Sequence, residues 1–438
     1  MKTHLVSARL CIFLLLIAII PSNYAQNSMG FDAKSIGMGG AVTAMPEYSI
    51  YGNNNPGGQV FLGNKFSLGV ELAAPKSSYS VIGSPSTFES SRETLWPLGL
   101  EEGSFQSNSK INFIPNISLN LRIDEINSLG ISIYGNGNQG ASFDNKVYFS
   151  PVISDFGSSE GFINPMGTIT TPSFIKFSQY FAAITYSHKF GENLGIGLSA
   201  VGAWQSIDVG GLEAFGTLNY SVYPQKVSTN STDNAFGIGG KLGVQWNVTK
   251  QLMLGVTFRS KLYMTDFSAY KGFINNNGNM DIPSEWSIGA AYQPTDRILV
   301  TADVNRYCFS GVDAWGKSFN AQEMYELGGE NGGGFGRKDL MSYKLGLQYK
   351  IPKWQFRAGY QYRNQVLQNN ELLLNILMPQ VVQHYIALGL SRQLGKQTIN
   401  FAVVKGLKNS MEGSNALDNA QQLEITAETL SIAVSVDF

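Results

Sequence analysis

The feature that most constrains this chain is an alternation of apolar and small polar residues, which recurs from residue 66 to the carboxyl end. Phe66, Leu68 and Val70, for example, alternate with Ser67 and Gly69. A period of two predicts β-strands with one apolar face. Fourteen such runs begin near residues 66, 112, 129, 179, 195, 236, 252, 286, 298, 342, 355, 384, 397 and 428.

The connections between these runs alternate in length. The short ones are 124–128, 192–193, 248–251, 294–297, 351–353 and 395–396. The long ones are 74–110, 135–178, 208–235, 267–285, 311–341, 364–383 and 406–427. An even strand number with short periplasmic turns and long outer loops is typical of bacterial outer-membrane barrels. We therefore predict an all-β protein, a 14-stranded antiparallel transmembrane β-barrel with both termini on the periplasmic side.

A secreted β-sandwich is the soluble alternative, and it predicts strands of about 5–6 residues. Several runs here reach the ~9–11 residues that cross a bilayer at a tilt. The last run ends on the aromatic Phe438, which resembles the assembly signal of outer-membrane barrels but also suits an ordinary edge strand.

The amino-terminal residues divide into two segments. Residues 1–25 have a basic start and an apolar run, which predicts a secretory signal peptide cut after Ala25; an uncleaved anchor is the alternative. Residues 26–65 are rich in Gly and Met and precede the first strand. A 14-stranded barrel is wider than its own side chains fill. We therefore expect residues 26–65 to plug the lumen of a barrel that spans residues 66–438.

Composition and motifs argue against several function classes. Charged residues make up 14% of the chain and the formal net charge is -1, which does not suggest a nucleic-acid partner. We find no catalytic set or metal-spaced cluster, and so expect neither an enzyme nor a bound cofactor or metal. Residues 135–140 fit a dinucleotide-binding pattern and 311–318 a phosphate-loop pattern. We reject both matches because no βαβ unit accompanies them.

Several blocks resemble the FadL family of outer-membrane transporters. They are residues 33–44, 113–120, 258–261 and 282–305, together with Asn-Pro-Gly-Gly at 55–58, where Gly57 replaces the family's Ala. The likeness extends over nearly all of the mature chain. It implies transport of long-chain fatty acids or other hydrophobic compounds, including aromatic hydrocarbons, past an amino-terminal hatch.

Candidate ligand-binding residues lie in the hatch, which offers adaptable Met side chains and an apolar wall. The alternative is that these side chains only pack the plug. The candidates are Phe31, Ile36, Met38, Met45, Tyr48, Tyr51, Asn55, Pro56 and Gly57.

A second candidate region is the third strand, where Gly135, Gly137 and Gly140 interrupt the alternation. Glycine inside a strand marks a bulge or a bend. The resemblance implies a kink here that opens the barrel wall sideways. Alternatively the strand ends at Gly135 and the later glycines belong to a loop.

Basic residues on the lumen face are candidates for binding a ligand carboxylate. By parity they are Arg122, Lys241, Arg259, Lys344, Arg357 and Arg363. We select Arg259 and, from the same matched block, Lys261. The alternative for each is an ion pair in the wall, with Glu71 or Asp303.

These observations lead us to expect passive transport: capture by the outer loops, binding in the lumen, hatch movement and lateral release. We expect a monomer in contact with outer-membrane lipid. A water-filled general porin and an outer-membrane enzyme such as a lipase are the alternatives. The expected landing residues are Phe143, Val147, Tyr148, Phe149, Phe156, Phe162 and Ile163.

Overall fold

Fourteen long strands form one closed antiparallel sheet in the computed structural model. It describes residues 29–84, 99–108, 110–148, 172–217, 220–319 and 327–438. The strands are β1 Lys65–Ile82, β2 Asn112–Arg122, β3 Asn127–Gln139, β4 Ser173–Phe190, β5 Leu194–Gly210, β6 Asp233–Asn247, β7 Leu252–Arg259, β8 Glu285–Thr295, β9 Ile298–Tyr307, β10 Leu340–Ile351, β11 Trp354–Arg363, β12 His384–Leu394, β13 Gln397–Asn415 and β14 Asp418–Asp437.

The sheet closes because β1 pairs with β2 on one side and with β14 on the other. Every other strand pairs with its two neighbours in sequence. A closed sheet leaves no edge whose backbone groups would face lipid. The predicted 14-stranded antiparallel barrel is thereby confirmed.

Side chains sort by the two faces of the wall, as β10 shows. Its outward residues are Tyr343, Leu345, Leu347 and Tyr349, which are 41–57% exposed. The inward Gln348 is fully buried. Two leucines between two tyrosines reproduce the apolar band and the aromatic girdles of membrane barrels.

One predicted loop is wrong. Residues 406–427 are not a loop, because β13 continues to Asn415 and β14 begins at Asp418. The apolar pattern stops there because the upper end of this hairpin, on the side of the long connections, has polar residues such as Glu412 and Glu424 facing outward. A strand above the lipid needs no apolar outer face, but its backbone still pairs.

Residues 29–62 lie inside the barrel. Their first element is the helix α1, Ala33–Gly37, which begins with a capping box between Asp32 and Ser35. Two 3₁₀ turns follow, Ser49–Asn53 and Pro56–Phe61. We call residues 29–62 the amino-terminal segment. The signal peptide predicted at 1–25 lies outside the described residues.

The upper connections fold over the barrel. They contain the short helices α2 Glu213–Thr217, α3 Asn275–Gly278, α4 Asp313–Gly316 and α5 Leu372–Asn375, and the 3₁₀ turns Pro224–Lys226, Ser268–Tyr270 and Phe309–Gly311. Three short strand segments, Gly103–Gln106, Ser142–Phe143 and Tyr263–Met264, pair with β1, β4 and β6. No helix among the described residues has the length and apolarity to cross a membrane.

Replacing the outward Leu345 by Arg should destabilise the barrel by about 2–4 kcal/mol, because it places a charge in the apolar band. Gln422→Arg is the control, since Gln422 is exposed at the upper end of β14. The measurement is denaturant unfolding from lipid vesicles. Equal stability of the two variants would contradict this assignment of the lipid-facing band.

Candidate functional site

The amino-terminal segment is held to the wall by an inward carboxylate on β9. Asp303 Oδ2 accepts hydrogen bonds from the backbone N–H groups of Val42 at 2.7 Å and of Thr43 at 2.8 Å. The Thr43 hydroxyl also lies 3.0 Å from that of Ser287. Charged acceptors form the stronger class of hydrogen bond, so Asp303 fixes the middle of the segment.

Charged side chains fix the segment at other points, and of the two ion pairs the one made by Lys34 is the more deeply buried. Lys34 pairs with Asp437 of β14 at 2.7 Å, and Glu47 pairs with Lys350 of β10 at 2.6 Å. Lys241 of β6 donates to the Asn53 carbonyl at 2.6 Å. Breaking one buried pair and leaving its partner uncompensated costs about 3–5 kcal/mol. Displacing the whole segment is therefore costly.

Glycine allows the segment to lie directly against the wall. A Cβ at Gly57 would come within 2.6 Å of the carbonyl oxygens of Gly195 and Gly243. Beside it, Asn55 accepts from the Gly57 N–H and donates to the Val244 carbonyl at 2.9 Å. The Gly that replaces the family's Ala at 57 thus occupies a position with no room for a side chain.

A cavity lies between the segment and the upper half of the barrel, and we call it the lumen cavity. The ionisable chains that line it include Lys241, Lys344, Arg363 and Glu285. Uncharged polar side chains, among them Asn305 and Gln361, complete much of its wall. The lumen cavity is therefore polar, with more cations than carboxylates.

The predicted hatch residues occupy two kinds of place. Phe31 lines the lumen cavity and its ring lies 4.5 Å from that of Tyr134. The others are buried between the segment and the wall and do not line this cavity: Ile36, Met38, Met45, Tyr48, Tyr51, Asn55, Pro56 and Gly57. This placement favours packing over ligand contact for all of them except Phe31.

The predicted basic residues also differ in their surroundings. Arg259 pairs with Glu285 at 3.4 Å, and Lys261 pairs with Asp281 at 3.0 Å, so a carboxylate of the protein already lies beside each. Arg122 was expected on the lumen face, but it is exposed and donates to Asp124 in the β2–β3 turn. The parity argument fails there because strand alternation ends at the turn.

The wall is incomplete at the upper end of β3. β2 and β3 pair only as far as Asn116 with Tyr134. Beyond this point, residues 112–115 of β2 pair with β1 alone among the described residues. The β3–β4 register shifts between Gly135 and Asn138, which places one extra residue on β3. Gly137 lies inside the bulge, and Gly140 follows the strand at φ +124°.

A second cavity adjoins the end of β3, and we call it the upper cavity. Its lining includes Gln139, Gly140 and Ala141 after the bulge and Met378 and Gln380 from the connection before β12. Residues 75–77 of β1 also line it. Arg337 also lines it. Among the described residues, the upper cavity thus combines apolar and amide groups with the Arg337 guanidinium, and Lys76 of β1 borders it as well.

Arg337 is 2% exposed, yet no carboxylate lies within ion-pair distance of it in the part of the chain that the structure describes. It donates to the Met378 carbonyl at 2.9 Å and more weakly to Asn375 and Gln139. The Trp315 ring centre lies 4.9 Å from its guanidinium carbon. Burial lowers the pKa of Arg337 to about 9, so it remains a cation at neutral pH.

No pattern in the sequence points to Arg337, because this residue follows a Gly-rich stretch with no periodicity. Its partners come from the end of β3 and from α5 and its flank, which are distant in the chain. Of the expected landing residues, Phe143, Val147 and Tyr148 are buried within this upper region. Phe149, Phe156, Phe162 and Ile163 lie outside the described residues.

Comparison with known families matches residues 27–438 to the model described as outer membrane protein transport protein (OMPP1/FadL/TodX). The chain belongs to this family. The resemblance seen in the sequence is thereby confirmed, and with it the outer membrane of Gram-negative bacteria as the location. Because the FadL/TodX family consists of transport proteins, the prediction that the chain is not an enzyme is also confirmed.

Solved structures with this fold include the toluene transporter TodX of P. putida, with a TM-score of 0.66 and 18% identity over 94% of this chain and 99% of that one. A FadL homologue of Pseudomonas aeruginosa has a TM-score of 0.64 and 14% identity, over 95% of this chain and 99% of that one. The Ralstonia pickettii toluene transporter TbuX has a TM-score of 0.57 and 17% identity, over 94% of this chain and 98% of that one. No curated protein matches the sequence significantly.

Asp303→Asn should loosen the amino-terminal segment, because the variant keeps the shape of the side chain but loses the charge that two backbone N–H groups share. We expect a loss of about 1–3 kcal/mol at this contact. The measurement is ion conductance across a planar bilayer, which should rise as the lumen opens. Asp296→Asn, in an exposed turn, is the control. Unchanged conductance in Asp303→Asn would rule out this anchor.

Proposed function

We propose that this FadL/TodX-family protein carries hydrophobic small molecules passively across the outer membrane, with long-chain fatty acids as its main substrate class. The observation that supports this most directly is the upper cavity. It combines apolar wall groups with a buried guanidinium that has no carboxylate partner among the described residues, and it lies beside the gap between β2 and β3.

Capture begins in the upper connections, where aromatic side chains concentrate. The rings of Trp315 and Phe335 stack at 5.7 Å, and Phe177 meets Trp315 at the same centroid distance. Phe215 and Tyr148 form a neighbouring pair at 5.1 Å. Such a cluster offers an acyl chain an apolar environment outside the lipid. The landing residues predicted at 149–163 are part of the proposed capture surface.

Arg337 supports an acidic substrate over a neutral one. TodX and TbuX are described as toluene transporters, and toluene has no group that would compensate a buried cation. A fatty-acid carboxylate would supply that group through charge-assisted hydrogen bonds. Arg259 and Lys261 remain proposed carboxylate contacts, but each already pairs with a carboxylate of the protein.

Two routes lead onward from the upper cavity. One passes down the lumen past residues 26–65, which we propose act as a hatch. This lumen route requires the contacts of Lys34, Glu47 and Asp303 between the segment and the wall to break. It also crosses the polar lumen cavity. The other passes sideways between β2 and β3 at the bulge around Gly135, Gly137 and Gly140. The lateral route breaks no ion pair and leads an apolar solute directly to lipid, so we favour it.

A general water-filled porin is the less favoured function. Such a channel needs an open aqueous path. Here the amino-terminal segment lies within the barrel and contacts inward residues of both β6 and β9.

Arg337→Gln should reduce uptake of labelled oleate about tenfold or more, because it removes a charge-assisted contact worth about 1.5–3 kcal/mol. Uptake of labelled toluene should change little. The assay uses cells that lack their own transporter, with equal amounts of folded barrel in the outer membrane.

The matched control is Lys338→Gln, which neutralises the adjacent exposed cation. Equal oleate uptake by Arg337→Gln and the wild type would remove Arg337 from substrate binding. If wild-type protein takes up toluene but no oleate, the fatty-acid assignment fails and hydrocarbon transport stands.

Deleting Gly137 should remove the extra residue of the bulge and let β3 continue in register with β4. The lateral gap should then narrow, and oleate uptake should fall severalfold while the barrel still folds. Folding is checked by the heat-dependent shift of the barrel on gels. Wild-type uptake by a correctly folded deletion variant would favour the hatch route instead.

A further inference from the structure

The outward face of β13, β14 and β1 carries a group of lysines at the level where the apolar band ends. Below this level, Leu430 is 44% exposed and Phe401 43% exposed to lipid. Above it, most outward residues are polar, among them the register partners Ser78 and Thr426, although Ile82 at the end of β1 is also exposed. The change from apolar to polar side chains places this level at the outer surface of the membrane.

A bulge in β13 brings the lysines together. The β13–β14 register runs from Gly406 with Thr429 to Asn409 with Ala427. Two residues of β13, Leu407 and Lys408, therefore face one residue of β14, Glu428, and both are exposed. Without the extra residue, strand alternation would turn Lys408 toward the lumen.

Two more lysines approach Glu428. Lys405 lies one outward position below the bulge, and its Nζ is 2.5 Å from Glu428 Oε2. Lys76 of β1 is the direct register partner of Glu428 on the other side, and it is exposed. The charges of Lys405, Lys76 and Lys408 all act on this one carboxylate. Three cations minus one anion leave two positive charges in excess.

Two other outward basic residues near the upper rim, Lys176 and Arg306, do not show this excess. Lys176 of β4 pairs with Asp208 of β5, its register partner, at 2.9 Å. Arg306 of β9 pairs with Asp339 at 2.6 Å. Each of these cations has its own carboxylate. The uncompensated charge around Glu428 is therefore a local property of the bulged hairpin and β1.

We propose that Lys76, Lys405 and Lys408 bind a phosphate head group of an outer-leaflet lipid, whose acyl chains lie along Leu407, Leu430 and Phe401. A phosphate oxygen accepts charge-assisted hydrogen bonds from several ammonium groups, and cations at a membrane surface attract anionic lipids. The apolar strip directly beneath the lysines distinguishes a lipid from a free phosphate ion. Lys405 and Lys408 lie on the outward face of β13, whereas Lys76 also borders the upper cavity.

The test is native mass spectrometry of the full barrel in an uncharged detergent, titrated with diphosphoryl lipid A. The triple variant K76Q/K405Q/K408Q should need about tenfold or more lipid for the same occupancy, since each surface cation contributes modestly to binding. K176Q is the matched control and should behave as wild type. Heat-dependent gel mobility verifies that each barrel is folded.

Equal occupancy in the triple variant and the wild type would overturn the proposal. Full displacement of the lipid by inorganic phosphate at the same concentration would also overturn it, because the site would then recognise the ion and not the lipid. If a folded triple variant cannot be extracted, the single variant K408Q should show a smaller loss in the same direction. No loss in folded K408Q would contradict the role given to the bulge.

Discussion

Backbone hydrogen bonding in a hydrocarbon environment is the constraint on which this structure depends. An unpaired N–H or C=O group in lipid costs several kcal/mol, so β1 must pair with β14 along its length, from Ser67 opposite Asp437 to Ile82 opposite Gln422. The break in pairing between β2 and β3 is therefore informative. It lies at the upper end of the wall beside a cavity lined by other parts of the protein, where backbone groups find partners such as the Leu377 carbonyl, which accepts from the Ala141 N–H.

Closure of fourteen strands creates a second problem, because the lumen is too wide for inward side chains to fill. The amino-terminal segment solves it with backbone as much as with side chains. Its N–H groups at 42 and 43 meet Asp303, and Gly57 lies directly on the carbonyl groups of β5 and β6. Polar and charged contacts suit this role because they hold the segment in one position. A purely apolar plug would pack against the wall with less directional preference.

The charges of this protein fall into three environments with different consequences. In the lumen, Lys34 and Arg259 are compensated by carboxylates of the wall. In the upper region, Arg337 is buried among aromatic rings and has only neutral partners in the described chain. On the outer surface, three lysines share Glu428. The first environment serves packing. We propose that the other two serve ligands, with Arg337 binding an acidic substrate and the three lysines binding a lipid head group.

The barrel can be predicted from the sequence alone, because the information is local: the outward Tyr343, Leu345 and Leu347 alternate with inward residues within one strand. The sequence also identified the Asn55–Gly57 motif and the lumen cations Lys241, Lys344 and Arg363, whose side follows from parity. It failed where the outward face of a strand is polar, as in β13 above Lys405, because no alternation of apolar and polar residues remains there. Two other features depend on residues that come together only in the folded barrel. Arg337 depends on groups contributed by β3, α4 and α5 and the residues beside them, and Lys408 faces outward only because a bulge shifts the register. These arrangements form only when the sheet and its loops close in three dimensions, and no spacing along the chain predicts them.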